Sequence, residues 1–458
     1  MKTVFNYFEE IMSIPRESGK EEKIKDYLVN YAKEHNIEYS VGEYNTVFLR
    51  KNNHSDKTII LQAHSDMVCV SNEDYDFDNL GIPFYIDGDY YKSKCTSLGA
   101  DDGIGLALIL AILEESYNMP NIEVIITTQE ETTMLGASNF DYSKITGKTL
   151  INLDGTTEGD IEASCAGIIS ITINKKITYQ ESNNSYKLII SGLAGGHSGD
   201  AIDKGRCNAI KLAFKLLNDL DYTSIIDINI GKRDNVIPSD GYIVFSSNNT
   251  LEELNNKLKN INISLVDDDK DLSLVIEECN NKNSITESLD IYNFINDIPN
   301  GLLKTYEDNF PLISANIGSI TISNNNLEIK YSIRSSDTIE EDKLLSKINM
   351  LTDKYNFIIN IDSRKPFFPF KEKSLIRELL KETYKELYGK DATIKKIHAC
   401  MEGGILKENI KDVDICTIAP TMEDIHSVNE RVSISSTKRV YEWLKETLKK
   451  YNSRGKND

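Results

Sequence analysis

The sequence predicts an α/β protein: a mostly parallel sheet sandwiched by helices, with an α+β domain inserted into the chain. Apolar segments beginning at Thr58, Asn121 and Thr149 end in polar residues and alternate with helical segments. This alternation is typical of parallel sheets covered on both faces. From about Gly167 the pattern changes to alternating half-exposed strands and polar helices, and it reverts around Pro366.

The chain length supports this division, because 458 residues are too many for one ordinary hydrophobic core. We expect one domain formed by residues 1–168 and 365–458, interrupted by a second domain at residues 169–364. The simplest account is an insertion of the second domain into the first.

The individual elements follow from hydrophobic spacing and from Gly and Pro breaks. In the first domain we expect a helix at about Glu21 to Glu34 and an apolar helix in GIGLALILAILEES. The insert should contain helices in NAIKLAFKLLNDL and LEELNNKLKNI and a strand in NLEIKYSIRSS. After Pro366 we expect a helix in SLIRELLKETYKELYG, a strand in DVDICTIAP and a closing helix in SSTKRVYEWLKETLKKY.

Composition excludes several classes of protein. Lys and Arg total 52 against 72 Asp and Glu, and this net charge of -20 disfavours nucleic acid and anionic membranes as partners. Seven Cys without CxxC pairs argue against a disulfide framework and a structural zinc ribbon. The first residues lack the apolar segment of a secretory signal, and no apolar run is long enough to span a membrane. We therefore expect a cytoplasmic protein.

Paired acidic and imidazole side chains follow the predicted strands. His64 and Asp66 lie two residues apart and share one face of a strand, which suits a metal ligand oriented by an acid, or a hydrogen-bonded pair. Asp101 and Asp102 lie in the Gly-rich turn LGADDGIG, where an Asp either bridges two cations or caps the helix.

Three further segments complete the set. Glu130 and Glu131 follow an apolar strand, so that one can bind a metal while the other acts as a base, although an exposed acidic loop fits equally well. Asp154 follows the next strand, and His426 lies in the loop before the last helix.

These residues gain significance together, because parallel strands gather ligand groups at their carboxyl ends. Two Zn²⁺ ions that share a bridging carboxylate need five protein ligands, and His64, Asp101, Glu131, Asp154 and His426 supply that number. Nitrogen and oxygen ligands without thiolate suit catalytic Zn²⁺, Co²⁺ or Mn²⁺ rather than structural zinc.

The ordered motifs also resemble a known family. The chain is similar to the aminoacyl-histidine dipeptidases (peptidase D, carnosinase-like), which are co-catalytic dizinc exopeptidases. The similarity covers most of the chain, and Asp102 and Gln129 are mild departures that remove no ligand. The motifs that carry it are HSDMV, LGADDGIG, QEETTMLGA, INLDG, GLAGGHSGD and PTMEDIHS.

The resemblance implies specific roles for the acidic residues. Asp101 would bridge the two zinc ions, with His64 and Asp154 on one ion and Glu131 and His426 on the other. Zinc-bound hydroxide would attack the peptide bond, and Glu130 would act as general base. Asp66 would orient His64 and raise its basicity.

The resemblance also implies residues that contact the substrate. His197 in the inserted lid domain would stabilise the oxyanion when the lid closes, in its own subunit or in a partner's. Asn235 and Arg334 would bind the substrate carboxylate, while Glu402 and His398 would line the pocket and read the free amine. The expected enzyme is a homodimeric dipeptidase, joined through the lid domain, that cleaves unblocked dipeptides, with Xaa-His as a candidate class. An N-acyl amino-acid deacylase with the same metal core is the alternative.

Overall fold

The computed structural model describes residues 2–182, 184–281 and 283–454. The chain divides into two compact units. Unit 1 comprises residues 1–164, 368–396 and 402–458, and unit 2 comprises residues 165–367 and 397–401. The sequence placed residues 397–401 in the first domain, whereas the structure assigns this short segment to unit 2.

The elements are as follows in chain order. Up to the start of unit 2 they are α1 (Val4–Met12), α2 (Glu22–Glu34), β1 (Glu38–Val41), β2 (Val47–Lys51), β3 (Thr58–His64), β4 (Phe84–Asp87), β5 (Tyr90–Ser93), α3 (Ala100–Glu114), β6 (Asn121–Thr127), α4 (Leu135–Ser138), β7 (Thr149–Asn152) and β8 (Asp160–Cys165). Unit 2 continues with β9 (Gly167–Lys176), β10 (Tyr179–Glu181), β11 (Ser185–Ser191), β12 (Gly196–His197), α5 (Ser198–Ala201), α6 (Ala209–Asp219), β13 (Tyr222–Gly231), β14 (Val236–Ile237), β15 (Gly241–Ser247), α7 (Leu251–Asn260), β16 (Ser273–Cys279), β17 (Asn283–Ile285), α8 (Ser288–Asp297), β18 (Gly301–Thr305), β19 (Pro311–Ser323), β20 (Asn326–Ser335), α9 (Thr338–Lys354) and β21 (Ile358–Lys365). The chain ends with α10 (Leu375–Tyr388), β22 (Thr393–Ile397), α11 (Glu402–Asn409), β23 (Asp414–Thr417), β24 (Met422–Glu423), β25 (Arg431–Ser433) and α12 (Ile434–Ser453).

The main sheet of unit 1 has the strand order β1-β2-β6-β3-β7-β23-β8-β22. Its centre is parallel, since β3 pairs in parallel with β6 and β7, and β7 with β23. The pairs β1–β2, β2–β6 and β8–β23 on its flanks are antiparallel. The predicted α/β class is therefore confirmed, and the parallel arrangement belongs to the central strands that precede the candidate site.

Helix α3 explains much of the core of unit 1. It is apolar on all sides, and every residue from Ala100 to Leu113 is buried. Such a helix needs neighbours on several faces, and it packs against α1, β3 and α12. Its first turn carries Asp101 and Asp102, which depart from helical backbone angles.

Unit 2 is built on a predominantly antiparallel sheet with the order β16-β11-β15-β13-β19-β20-β9-β21, and β18 pairs with β19. Its core is separate from that of unit 1 and joins α6 and α8 to one face of the sheet through residues such as Phe214, Phe294 and Tyr331. The predicted α+β character of the insert is thus confirmed. Among the described residues, no helix combines the length and the apolar character that crossing a membrane requires.

Candidate functional site

The carboxyl ends of the central strands place three of the predicted ligands and the predicted base near one another. His64 is the last residue of β3 and lies in register with Thr127, the last residue of β6. Glu130 and Glu131 follow β6, and Asp154 follows β7. Because these strands run in parallel, their loops emerge at one edge of the sheet.

The side chains at this edge form three groups, each with ligand atoms within 4.8 Å of one another. The first contains His64, Asp101 and Asp154, and the second contains Asp101, Glu131 and His426. The third joins His64 to both glutamates of the 130–131 pair. The structure therefore brings together all five predicted metal ligands and the predicted base.

Asp101 belongs to both of the first two groups. Its Oδ1 lies 3.1 Å from His64 Nε2, and its Oδ2 lies 3.1 Å from His426 Nε2. Ligands about 2.0–2.2 Å from a tetrahedral Zn²⁺ lie roughly 3.4 Å from each other. The Asp154 Oδ1 to His64 Nε2 distance of 3.7 Å and the Glu131 Oε1 to His426 Nε2 distance of 2.9 Å span that value. One metal at each group, with Asp101 shared, fits these separations.

The electrostatics of the cluster indicate that it is built for cations. Burial raises the pKa of Asp154 and of Glu130 well above the ordinary range of a carboxyl group. Hydrogen bonds to Asp101 and Glu131 raise the pKa of His426 to about 10. Glu131 Oε1 is buried, and its partner in the described chain is His426 Nε2 at 2.9 Å. Since divalent cations offset the repulsion among such carboxylates and bind their oxygens, this donor set fits a pair of metal ions.

Asp66 lies behind His64 and is fully buried. Its Oδ1 is 3.4 Å from His64 Nδ1, and the carboxylate also accepts hydrogen bonds from the backbone N–H groups of Glu130 (3.1 Å) and Glu131 (3.2 Å). Ser18 Oγ donates a further hydrogen bond of 2.6 Å. One acid thus links the imidazole to the backbone of both glutamates.

Three buried residues that the sequence did not single out also form hydrogen bonds to the backbone segments that carry the predicted ligands. The Arg16 guanidinium donates to the backbone carbonyls of Ser65 (3.0 Å) and Asp66 (2.8 Å). Glu21 accepts a hydrogen bond from the backbone N–H of Gln129 (3.1 Å). The third residue, Glu430, receives backbone N–H groups at the start of α3. The sequence does not identify such residues, because an isolated charge in a loop segment such as IPRESGKEE has the same local pattern whether it is buried or exposed.

Four substrate-contact candidates lie in unit 2, and three of them form one cluster. Arg334 is 3% exposed, and its Nε donates to Ser198 Oγ over 3.1 Å. Its guanidinium Nη2 also lies 3.1 Å from His197 Nε2. The backbone carbonyl of Asn235 accepts the N–H of Ser198 over 2.9 Å, which attaches its loop to the same turn. Among the described residues, no carboxylate pairs with Arg334 within 4.0 Å, although burial lowers the pKa of its guanidinium.

His398 and Glu402, both predicted to contact the substrate, each have their own set of partners. His398 Nε2 lies 2.8 Å from Ser314 Oγ in unit 2, and burial together with Arg334 lowers the pKa of His398 to about 3. Glu402 begins α11 in unit 1 and accepts hydrogen bonds from Gln62 Nε2 (2.8 Å) and Thr127 Oγ1 (2.5 Å). The imidazole of His398 is therefore neutral near pH 7.

The chain is similar to a known protein family and to proteins of known structure. Residues 60–450 match the model of peptidase family M20/M25/M40. The chain is 32% identical to the cytosol non-specific dipeptidase of Escherichia coli K12, over 97% of both chains. It superimposes on aminoacylhistidine dipeptidase from Vibrio alginolyticus with a TM-score of 0.87 and 29% identity, covering 97% of this chain and 96% of the other.

A more distant solved structure shows the same fold. Aminopeptidase PepT from Bacillus cereus matches with a TM-score of 0.61 and 17% identity over 97% of each chain. The predicted resemblance to the aminoacyl-histidine dipeptidases is confirmed by the Vibrio structure and the Escherichia relative. Because the family model covers most of the sequence, this chain belongs to peptidase family M20/M25/M40.

Proposed function

We propose that this protein is a metal-dependent dipeptidase that hydrolyses the peptide bond of unblocked dipeptides. The observation that carries the proposal is the position of Asp101, which presents one carboxylate oxygen to His64 and the other to His426. The names of two relatives support it, since one is a non-specific dipeptidase and the other an aminoacylhistidine dipeptidase.

The ligand sets of the two metal positions follow from the side-chain groups. We assign His64, Asp101 and Asp154 to one ion, and Asp101, Glu131 and His426 to the other. Zn²⁺ is the metal we propose for both, with Co²⁺ or Mn²⁺ as substitutes. When bound, such ions lower the pKa of water and polarise the carbonyl of the scissile bond.

Glu130 is the residue that we assign as general base. It lies in the same cluster as His64 and Glu131, and burial raises its pKa, which favours proton acceptance. In this role the carboxylate takes a proton from the attacking water and returns it to the leaving amine. Asp66 holds the backbone N–H groups of both glutamates and faces His64 Nδ1, so it orients base and ligand together.

Arg334 is the residue that we assign to the substrate carboxylate. It is a buried cation whose described partners are Ser198 and His197 rather than an acid, so its charge is available to an anion. His197, next to it, would stabilise the oxyanion. Asn235 would contact the substrate carboxylate together with Arg334, and His398 would contact the free amine. We further assign Glu402 to the free amine, because its buried Oε1 makes no hydrogen bond in the described chain.

A paired-substrate assay tests this function. The metal-loaded protein is assayed with Gly-His, β-alanyl-His and a dipeptide without His, each with a free or an N-acetylated amine. A dipeptidase cleaves the free forms, and the rates across the panel report whether Xaa-His is preferred. Cleavage of only the acetylated forms would establish the deacylase alternative, and no cleavage at full metal occupancy would refute hydrolysis.

Assembly and location form a second part of the proposal. We infer a homodimer joined through unit 2, supported by the exposed Ile358 (60%) and Ile361 (56%) on β21, the edge strand of its large sheet. Light scattering of wild-type protein and of an Ile358→Lys, Ile361→Lys variant tests this, since the variant should be monomeric.

A cytoplasmic location is supported by the cytosolic relative, and cell fractionation would test it.

A further inference from the structure

Glu430 makes an unusual set of hydrogen bonds for a carboxylate outside the ligand set. It is 2% exposed. Its Oε2 accepts the backbone N–H groups of Leu98 (2.8 Å) and Gly99 (3.0 Å). Its Oε1 accepts those of Ala100 (2.8 Å) and Asp101 (3.2 Å). A single side chain therefore holds four consecutive backbone groups, and the last belongs to the shared ligand.

The position of Glu430 in the chain adds a second connection. It lies four residues after His426, in the loop between β24 and β25. Its own N–H donates to the carbonyl of Ser427 over 3.2 Å, and β25 pairs with both β24 and β5. The loop that carries one metal ligand is thus attached, through Glu430, to the turn that carries another.

Arg16 holds the opposite side of the same turn. Its guanidinium is 1% exposed and donates to the carbonyl of Gly99, while the Gly99 N–H donates to Glu430. Gly99 has a φ of +71°, and a Cβ there would lie 2.6 Å from the Arg16 side chain. Because Arg16 also donates to the carbonyls of Ser65 and Asp66, it ties this turn to the segment after His64.

We propose that Glu430 is a positioning residue that sets the separation of Asp101 and His426, and thereby the geometry of the second metal position. This inference rests on the proposed two-metal function. Asp101 Oδ2 and His426 Nε2 lie 3.1 Å apart. The Glu430 carboxylate accepts the backbone N–H of Asp101, and the Glu430 backbone N–H donates to the carbonyl of Ser427, the residue after His426. Loosening that link should weaken the metal held by Glu131 and His426 more than the one held by His64 and Asp154.

A purely structural role would give a different result, and the chain contains a matched control. Glu123 is 0% exposed, accepts hydrogen bonds from the N–H groups of Thr146 and Gly147, and pairs with Arg50. It lies on β6 but contacts none of the proposed ligands through these bonds. Glu123→Gln therefore reproduces the loss of a buried carboxylate that holds backbone N–H groups.

The experiment is a Co²⁺ titration of metal-stripped full-length protein, followed by visible absorption spectroscopy. Wild type, Glu430→Gln, Glu430→Asp and Glu123→Gln are compared, and the unfolding temperature of each metal-free protein is recorded. We expect Glu430→Gln to bind the first equivalent like wild type and the second about 10–100-fold more weakly, as is typical for groups that orient ligands. Glu430→Asp keeps the charge but is one methylene shorter, so we expect a smaller loss.

The control separates positioning from folding. Both glutamine variants should lower the unfolding temperature, but Glu123→Gln should keep both Co²⁺ affinities. Equal weakening of the second equivalent in the two variants, or wild-type binding by folded Glu430→Gln, would overturn the positioning role. If wild type binds two Co²⁺ ions but cleaves no dipeptide, the proposed function fails and the titration alone decides the role of Glu430. If wild type binds no Co²⁺, both proposals fall.

Discussion

Asp101 Oδ2 and His426 Nε2 lie 3.1 Å apart although 325 residues separate them in the chain. The other oxygen of the same carboxylate faces His64 Nε2 at the same distance. A carboxylate shared in this way should affect both metal positions at once, whereas we assign Asp154 and Glu131 to one position each.

Substitution of Asp101 tests the bridge directly. In Asp101→Ala we expect metal content to fall at both positions, because each group loses an oxygen ligand. Asp154→Ala should lose chiefly one equivalent. Elemental analysis after dialysis against buffered zinc measures both results, and two tightly bound ions in Asp101→Ala would rule out a bridging role.

Substitution of Glu130 separates chemistry from metal binding. Glu130→Ala removes a base and not an assigned ligand, so both metals should stay while kcat falls about 10²–10⁴-fold. Glu131→Gln is the matched comparison, since it should weaken the metal held with His426. The readouts are kcat and metal content, and a near-normal kcat in Glu130→Ala would contradict the assignment.

The stability of the metal-free protein should depend on His426. Its pKa is raised from 6.5 to about 10 by hydrogen bonds to Asp101 and Glu131. A raised folded-state pKa stabilises the fold fully below pH 6.5, and this contribution is lost as the pH rises through about 10. Urea unfolding of metal-stripped protein from pH 6 to 10 should show the decline, and His426→Gln should flatten it.

Metal binding should release the proton that His426 carries in the metal-free protein. Because a metal displaces the proton on His426, the apparent affinity should increase with pH below about 10, with proton release. Calorimetry in two buffers of different ionisation enthalpy measures the released protons at pH 7.5. Equal heats in both buffers would show that no net proton leaves on binding.

Glu162, which is not an assigned metal ligand, should also make the stability of the fold depend on pH. Burial, assisted by Asp160, raises its pKa from 4.5 to about 8, and its Oε2 has no hydrogen-bond partner within the described chain. The folded state therefore loses stability as the pH rises from about 4.5 through 8. Glu162→Gln should be more stable than wild type at pH 9, by about 1 kcal/mol or more. The two proteins should differ less at pH 5, and a constant difference across this range would contradict the shift.

Arg334 can be tested by changing enzyme and substrate together. Arg334→Ala should lower kcat/KM for a free dipeptide by about 10-fold or more, since a hydrogen bond to a charged group contributes roughly 1.5–3 kcal/mol. With the corresponding dipeptide amide, which lacks the carboxylate, the effect of the mutation should be much smaller. Equal losses on both substrates would assign Arg334 a structural role in the Ser198 turn.

The order of amino acids alone was sufficient to predict the fold class and the group of ligand candidates. Apolar runs in the sequence predict the strands that end at His64, before Glu130 and before Asp154. Because parallel strands present their carboxyl ends at one edge of a sheet, the sequence also predicts that these residues lie near one another. The Asp101 turn carries a local Gly and Asp signature. These features depend on neighbours in sequence, so the sequence alone predicts them.

Other features depended on folding and had no local signature. The division of the Asp101 oxygens between two histidines, the four N–H groups on Glu430 and the contact of Arg334 with His197 all join distant segments. A buried Glu or Arg cannot be told from a surface residue by its neighbours in sequence. Its role depends on desolvation and on hydrogen-bond partners that other elements supply. Only the packing of the strands and loops decides which charges become buried and what they hold.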